Sequence, residues 1–192
     1  MRNTFYISDT HYGHDKCCTV FKRPDGSPLR PFSCAAELDE IMVQRWNSVV
    51  RPGDRVFHLG DVVINRRFLW ILSRLNGDKR LIMGNHDIFD HHDYLKYFSR
   101  IHGSMKVDKL WLTRIPVHID SVPHWALANV HGHIHALEIA HGKYFNVSVE
   151  QIDYTPISHD DLVQRIRDKQ IKYPLDTTAE SASVADIAKE YE

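Results

Sequence analysis

Apolar and polar positions along the chain change period several times, and each change marks an element. Residues 4–8 (TFYIS) are a short β-branched and aromatic run ending in Asp9, the pattern of a strand that delivers its last residues to a loop. Residues 12–33 contain PDGSP and RPF, which predict a long loop with turns. The run SCAAELDEIMVQRWNSVV then sets Leu38, Ile41, Met42, Arg45 and Trp46 at helical spacing, with Ser33 or Cys34 at the N-cap and acids in the first turn. That helix stops at RPGD. Residues 55–59 (RVFHL) predict a second strand running into Gly60 and Asp61, residues 66–75 a second helix closed by Asn76 and Gly77, and residues 80–83 a third strand entering GNHD.

Such a βαβαβ repeat builds a mainly parallel sheet, in which sites gather at the carboxyl ends of strands. Beyond a helical stretch at 94–98 the pattern turns to short strands near 103–107, 110–113, 126–130 and 143–149, with Asp108 and Lys109 in the first turn. These predict a second, more antiparallel sheet. A helix opened by SHDD follows near 158–169. Trp46, Trp70 and the Leu and Ile positions of the helices read as core. The organisation expected is one domain over 1–172 and a C-terminal tail, 173–192, that is disordered or weakly helical and carries no chemistry.

Composition narrows the function classes. A formal net charge of −1 with interspersed signs gives no global bias toward DNA or an anionic membrane, so nucleic acid is left to local contacts. No stretch approaches the length of a membrane span, and the N-terminus lacks a signal-peptide apolar region. Three cysteines, two of them adjacent, do not resemble a secreted disulfide framework, and a cytoplasmic location is expected. Fourteen histidines are the anomaly. They are scattered through DTHYGH, GNHD and HGHIH instead of forming a contiguous tag, which points to a site assembled from several loops.

The polar groups at the predicted strand ends are Asp9 and His11, then Asp61, then Asn85, His86 and Asp87, then His133 and His135. Carboxylate, amide and imidazole together suit manganese, iron, zinc, cobalt or nickel, whereas calcium wants more oxygens and a structural zinc more thiolates. Asp61, placed after a glycine, is the natural bridge between two ions about 3.5 to 4 Å apart. An ion pair of that kind activates water and neutralises charge on a phosphoryl oxygen, so the chemistry implied is hydrolysis at phosphorus.

DTH, GD, GNHD and GHIH, in that order from Asp9 to His135, resemble the calcineurin-like metallophosphoesterase superfamily. YISDTHYGH, the RPF before a helix ending in WN, and FNVSVE resemble its small single-domain bacterial and phage members. The resemblance implies an α/β fold, a four-layer αββα sandwich of two mixed β-sheets flanked by helices. It implies that Asp9, His11, Asp61 and His135 hold a first metal, and Asp61, Asn85 and His133 most of a second. His86 is then the acid or transition-state stabiliser, oriented by Asp87. Two divalent ions, manganese the first choice, serve attack of a metal-bound hydroxide on a phosphodiester or phosphomonoester, the diester being preferred by analogy. Nucleotides, cyclic nucleotides and nucleic-acid ends are the candidate substrates. Two alternatives stay open: a catalytically weakened nucleotide-binding protein, and a nuclease.

One position departs from the pattern. Where the superfamily has LTH with a proline two residues later, this chain reads LTRIP, and a guanidinium has no lone pair with which to ligate. His118 lies about 13 Å further along an extended chain, so it is expected on the substrate side, as is His14. Three roles are open to Arg114: to weaken the second metal site, to point away while water fills the vacancy, or to offer a fixed positive charge to the substrate phosphate in partial place of the ion. The first, with partial metal occupancy, is preferred. His91, His92, His124, His131 and His141 read as surface groups or as support for the ligands. Arg66 and Arg67 read as helix caps in preference to substrate contacts. A catalytic thiol at Cys17 or Cys18 is not expected, because the sequence indicates no base beside it.

Overall fold

The structure, a computed structural model, describes residues 2–175. Its strands are β1 (Thr4–Ile7), β2 (Arg55–His58), β3 (Asp78–Ile82), β4 (Arg100–His102), β5 (Ser104–Val107), β6 (Leu110–Thr113), β7 (Ala128–His131), β8 (Tyr144–Asn146) and β9 (Ile157–Ser158). Its α-helices are α1 (Lys16–Thr19), α2 (Ala35–Val49), α3 (His91–Leu95) and α4 (His159–Lys172). One sheet has the order β4-β3-β2-β1-β9, parallel except for β9, and the other the order β5-β6-β7-β8. Phe5, Tyr6 and Ile7 are buried in succession, as befits a central strand covered on both faces. This is the expected α/β arrangement of two mixed sheets with helices outside.

The second sheet is less antiparallel than its sequence suggests. Only β5 and β6 pair antiparallel, while β6 with β7 and β7 with β8 are parallel. Long connections permit this, since a chain that returns through a crossover can re-enter in its original direction. The segment 66–75 also differs: it is a 3-10 helix (Arg66–Arg74), begun where Asn65 accepts the Arg67 N–H at 3.0 Å. Three residues per turn put Leu69, Leu72 and Leu75 on one buried face and leave Trp70 outside it, 53% exposed. Trp70 is therefore a surface residue, not core. α1 and β4 were not legible as elements. The tail is outside the described residues from position 176 onward.

One continuous core joins Tyr6, Val56, Phe57 and Leu81 of the first sheet to Leu110, Leu112, Ala128 and Val130 of the second. α2 adds Leu38, Met42 and Trp46, whose indole N–H donates to Asn76 O at 3.0 Å. The sheets are stitched at one point of importance to the site: Ser8 N–H donates to Val147 O at 2.9 Å, and Val149 N–H to Ser8 O at 3.1 Å. Asp9 follows directly. Among the described residues, no helix is long and apolar enough to cross a membrane.

Candidate metal centre

The predicted strand-end groups do converge. Asp9 and His11 follow β1, Asp61 follows β2, Asn85 to Asp87 follow β3, and His133 and His135 follow β7. Five of these residues have left-handed backbone: Asp9 (φ 59°), His11 (47°), Asp61 (57°), His133 (73°) and His135 (49°). Non-glycine residues seldom adopt it, so its concentration here marks backbone shaped for a site and not merely for turning. The loops also pass very close to the acids. A Cβ on Gly84 would land on the backbone and carboxylate of Asp61, and one on Gly132 on Ser8 Oγ and Asp9 Oδ2. Glycine is required at both for that reason.

Asp9 is fully buried. Its Oδ2 accepts from Ser148 Oγ at 2.8 Å and His133 N–H at 2.9 Å, which turns Oδ1 toward His11 Nε2 (3.7 Å) and His135 Nε2 (3.8 Å). Asp61 Oδ2 lies 3.6 Å from His11 Nε2, and its Oδ1 accepts the His86 N–H at 3.0 Å. Asp9, His11 and His135 each offer one ligand atom within 4.8 Å of the others. Both ring nitrogens of His11 are buried without a hydrogen bond, and Asp9 Oδ1 has no aligned one, only the edge of the Arg114 guanidinium at 2.7 Å. An unpaired buried group of this kind costs about 1 to 3 kcal/mol, and a divalent ion is the partner this donor set fits. Burial works against the charge on Asp9, but His11 and the Arg114 guanidinium outweigh it and hold the carboxyl well below its usual range. Burial lowers His11, favouring the neutral imidazole that ligates.

Arg114 lies inside this constellation, 6% exposed. Its Nη2 is 2.7 Å from Asp9 Oδ1, donates to Asp61 Oδ2, and sits 3.5 Å from His133 Nδ1. Nη1 donates to Ser8 Oγ at 3.1 Å and Nε to Asn85 Oδ1 at 3.4 Å. Of the three roles open to Arg114, pointing away is excluded, because the carboxylates draw it inward. His118 is not brought to the centre. Its side chain is 75% exposed, caps the turn Ile119–Ser121 and has Asp120 as its partner. His14 does approach, with its ring 5.8 Å from that of His11.

The calcineurin-like phosphoesterase model matches residues 3–180. The chain belongs to this family. It is 32% identical over 182 residues to the uncharacterized protein MJ1445 of Methanocaldococcus jannaschii, covering 86% of this chain and 92% of that one. The Gene 66 protein of Mycobacterium phage L5 is 34% identical over 93 residues, 45% of this chain and 41% of the phage protein. The solved structure of AQ665, a protein of unknown function from Aquifex aeolicus, has the same fold. Its TM-score is 0.67 at 24% identity, covering 86% of this chain and all of that one.

Residues beyond the motifs hold the candidate ligands in place. Arg30 and Glu150, both with wholly buried side chains, pair at 2.8 Å, and Arg30 also donates to the carbonyls of Thr10 and Asp9. Glu150 Oε1 lies 3.1 Å from His135 Nδ1. Burial opposes ionisation of Glu150, yet Arg30 and His135 hold it below its usual range, so it accepts and His135 Nδ1 donates. That leaves His135 Nε2 bare toward the centre. The Asn146 and Gln151 amides donate to His135 O at 2.8 and 3.0 Å. None of these four was a candidate, although Arg30 lies in RPF and Asn146 and Glu150 in FNVSVE, the stretches that resemble compact relatives.

The structure places three further residues. Asp87 does not hydrogen-bond the His86 ring. Its carboxylate accepts the N–H groups of Asp61 (2.8 Å), Val62 (3.0 Å) and Gly84 (2.8 Å), so it clamps the β2 and β3 loops together. Burial raises its pKa against those bonds. His131 is buried on β7. A base does lie beside a thiol, His14 Nδ1 being 3.3 Å from Cys17 Sγ, but burial pushes the thiol up to about 11 and keeps it protonated.

Proposed function

We propose that the chain hydrolyses a phosphodiester in a metal-dependent reaction, with Asp9, His11, Asp61 and His135 holding the ion and His86 beside the leaving group. The observation that carries this reading is the convergence of one ligand atom each from Asp9, His11 and His135, the His11 nitrogens having no hydrogen-bond partner. A bound divalent ion supplies a Lewis acid that makes water acidic enough to attack near neutral pH. The chain's own groups supply the rest. Glu150 fixes the His135 tautomer, and Ser148 with the His133 N–H fixes Asp9. His86 is exposed, its ring edge-on to His11 at 5.6 Å, and its backbone is held by Asp61, so its imidazole is free to protonate the departing alcohol.

A cleft of about 790 Å³ opens beside His133 and His135. Phe21, Leu29 and Leu137 give it apolar walls, with Lys22 and Arg23 alongside. Those walls suit a flat organic substituent near an anionic group, which favours a nucleotide or cyclic nucleotide as substrate. Manganese is the first choice of ion.

The Asp61→Ala variant tests the reading. Hydrolysis of bis-p-nitrophenyl phosphate with manganese supplied is expected to fall at least on the order of 100-fold while circular dichroism is unchanged. A variant as active as the parent would overturn it. The buried Arg114 favours a second reading, a weakened nucleotide-binding protein, in which parent and variant are alike inactive and the parent still binds a nucleotide.

A further inference from the structure

We propose that Arg114 is the second cation of the centre: the chain takes up one transition-metal ion, at Asp9, His11, His135 and Asp61, and the guanidinium holds the other position with Asp61 shared between the two. The inference rests on the metal-dependent reading of the site.

Asp61, Asn85 and His133, the groups that the family pattern directs toward a second ion, all turn a polar atom to the one guanidinium. Asp61 Oδ2 accepts from Nη2, Asn85 Oδ1 from Nε at 3.4 Å, and His133 Nδ1 stands 3.5 Å from Nη2. Ser8 Oγ takes Nη1 at 3.1 Å. Arginine suits such a ring of acceptors, having five donors and a charge that persists at any working pH. Its position is fixed at both ends. The Arg114 carbonyl accepts the Gly132 N–H at 3.0 Å, and its Cδ packs so near Gly60 that a Cβ there would come within 2.8 Å. A second ion on the same ligands would have to expel the guanidinium from Asp61 and leave a buried charge without its carboxylate.

The first position is different. Asp9 Oδ1 touches the guanidinium only at its edge, 2.7 Å from Nη2 and without an aligned hydrogen bond, and both nitrogens of His11 have no partner. Asp9 Oδ1, 3.7 Å from His11 Nε2 and 3.8 Å from His135 Nε2, can share an ion with one nitrogen of each ring. Two buried carboxylates then meet two cations, one exchangeable and one covalently part of the chain.

The test is the ion count of the full chain, stripped with chelator, equilibrated with excess manganese and desalted. One manganese per chain is expected, with the paramagnetic resonance spectrum of an isolated ion. Arg114→His is expected to take up two and to show the spectrum of a coupled pair. Two ions or none in the parent would overturn the proposal, as would a folded Arg114→His that still takes up one. Should that variant not fold, the parent's count and spectrum decide alone. A parent that binds one ion yet hydrolyses no phosphoester would sink the functional reading and leave the ion count standing.

Discussion

Glu150 is the residue whose loss reaches furthest, because one buried carboxylate both neutralises Arg30 and orients His135. Glu150→Gln keeps the shape but no longer obliges His135 to carry its proton on Nδ1. Manganese affinity is expected to fall about 10- to 100-fold, read by metal titration, and an unchanged affinity would contradict the role given to this contact. Glu150→Ala also strands a buried guanidinium and is expected to cost about 3 to 5 kcal/mol in urea denaturation. A loss below about 1 kcal/mol would show that Arg30 finds another partner. The candidate ligands could be named from the sequence because they stand in short motifs, DTH, GD, GNHD and GHIH, at predicted strand ends. Arg30 and Glu150 could not, since their pairing spans 120 positions and no local pattern announces it.

At the scale of elements, periodicity was a good guide where one face is buried and one is wet. α2 begins at Ala35 after Cys34 and buries Leu38, Met42 and Trp46 as its spacing indicates. Trp46→Ala is accordingly expected to cost about 3 to 5 kcal/mol by chemical denaturation, through a large cavity and an orphaned Asn76 carbonyl. A small cost would mean that α2 does not anchor the core. Periodicity failed where geometry is set by tertiary packing. The 3-10 helix Arg66–Arg74 places Leu69 and Leu72 three apart, a spacing that an α-helical reading also accepts, so Trp70 was assigned to the wrong side. Strand direction in the second sheet was hidden as well, because the residues of β6, β7 and β8 fit parallel and antiparallel pairing equally.

For the whole molecule, the site lies where the ends of strands from both sheets meet, so occupancy and stability are linked. An ion that binds the folded chain alone should stabilise it by about 2.7 kcal/mol at a free concentration 100 times its dissociation constant. Thermal unfolding with manganese and then with excess chelator reads this directly, and equal midpoints would mean that the centre does not bind the ion. The family and the two-sheet fold were legible from four motifs in order. The place of the Arg114 side chain among Asp9, Asp61 and Asn85 was not, because it depends on tertiary packing.

Metal dependence is the property on which the phosphoesterase reading of these loops stands. Its most direct test is the rate of bis-p-nitrophenyl phosphate hydrolysis by chelator-stripped protein before and after manganese is restored. Negligible turnover that returns on adding manganese is the predicted result. A rate that is the same with and without the ion, or absent under both conditions, would contradict the account.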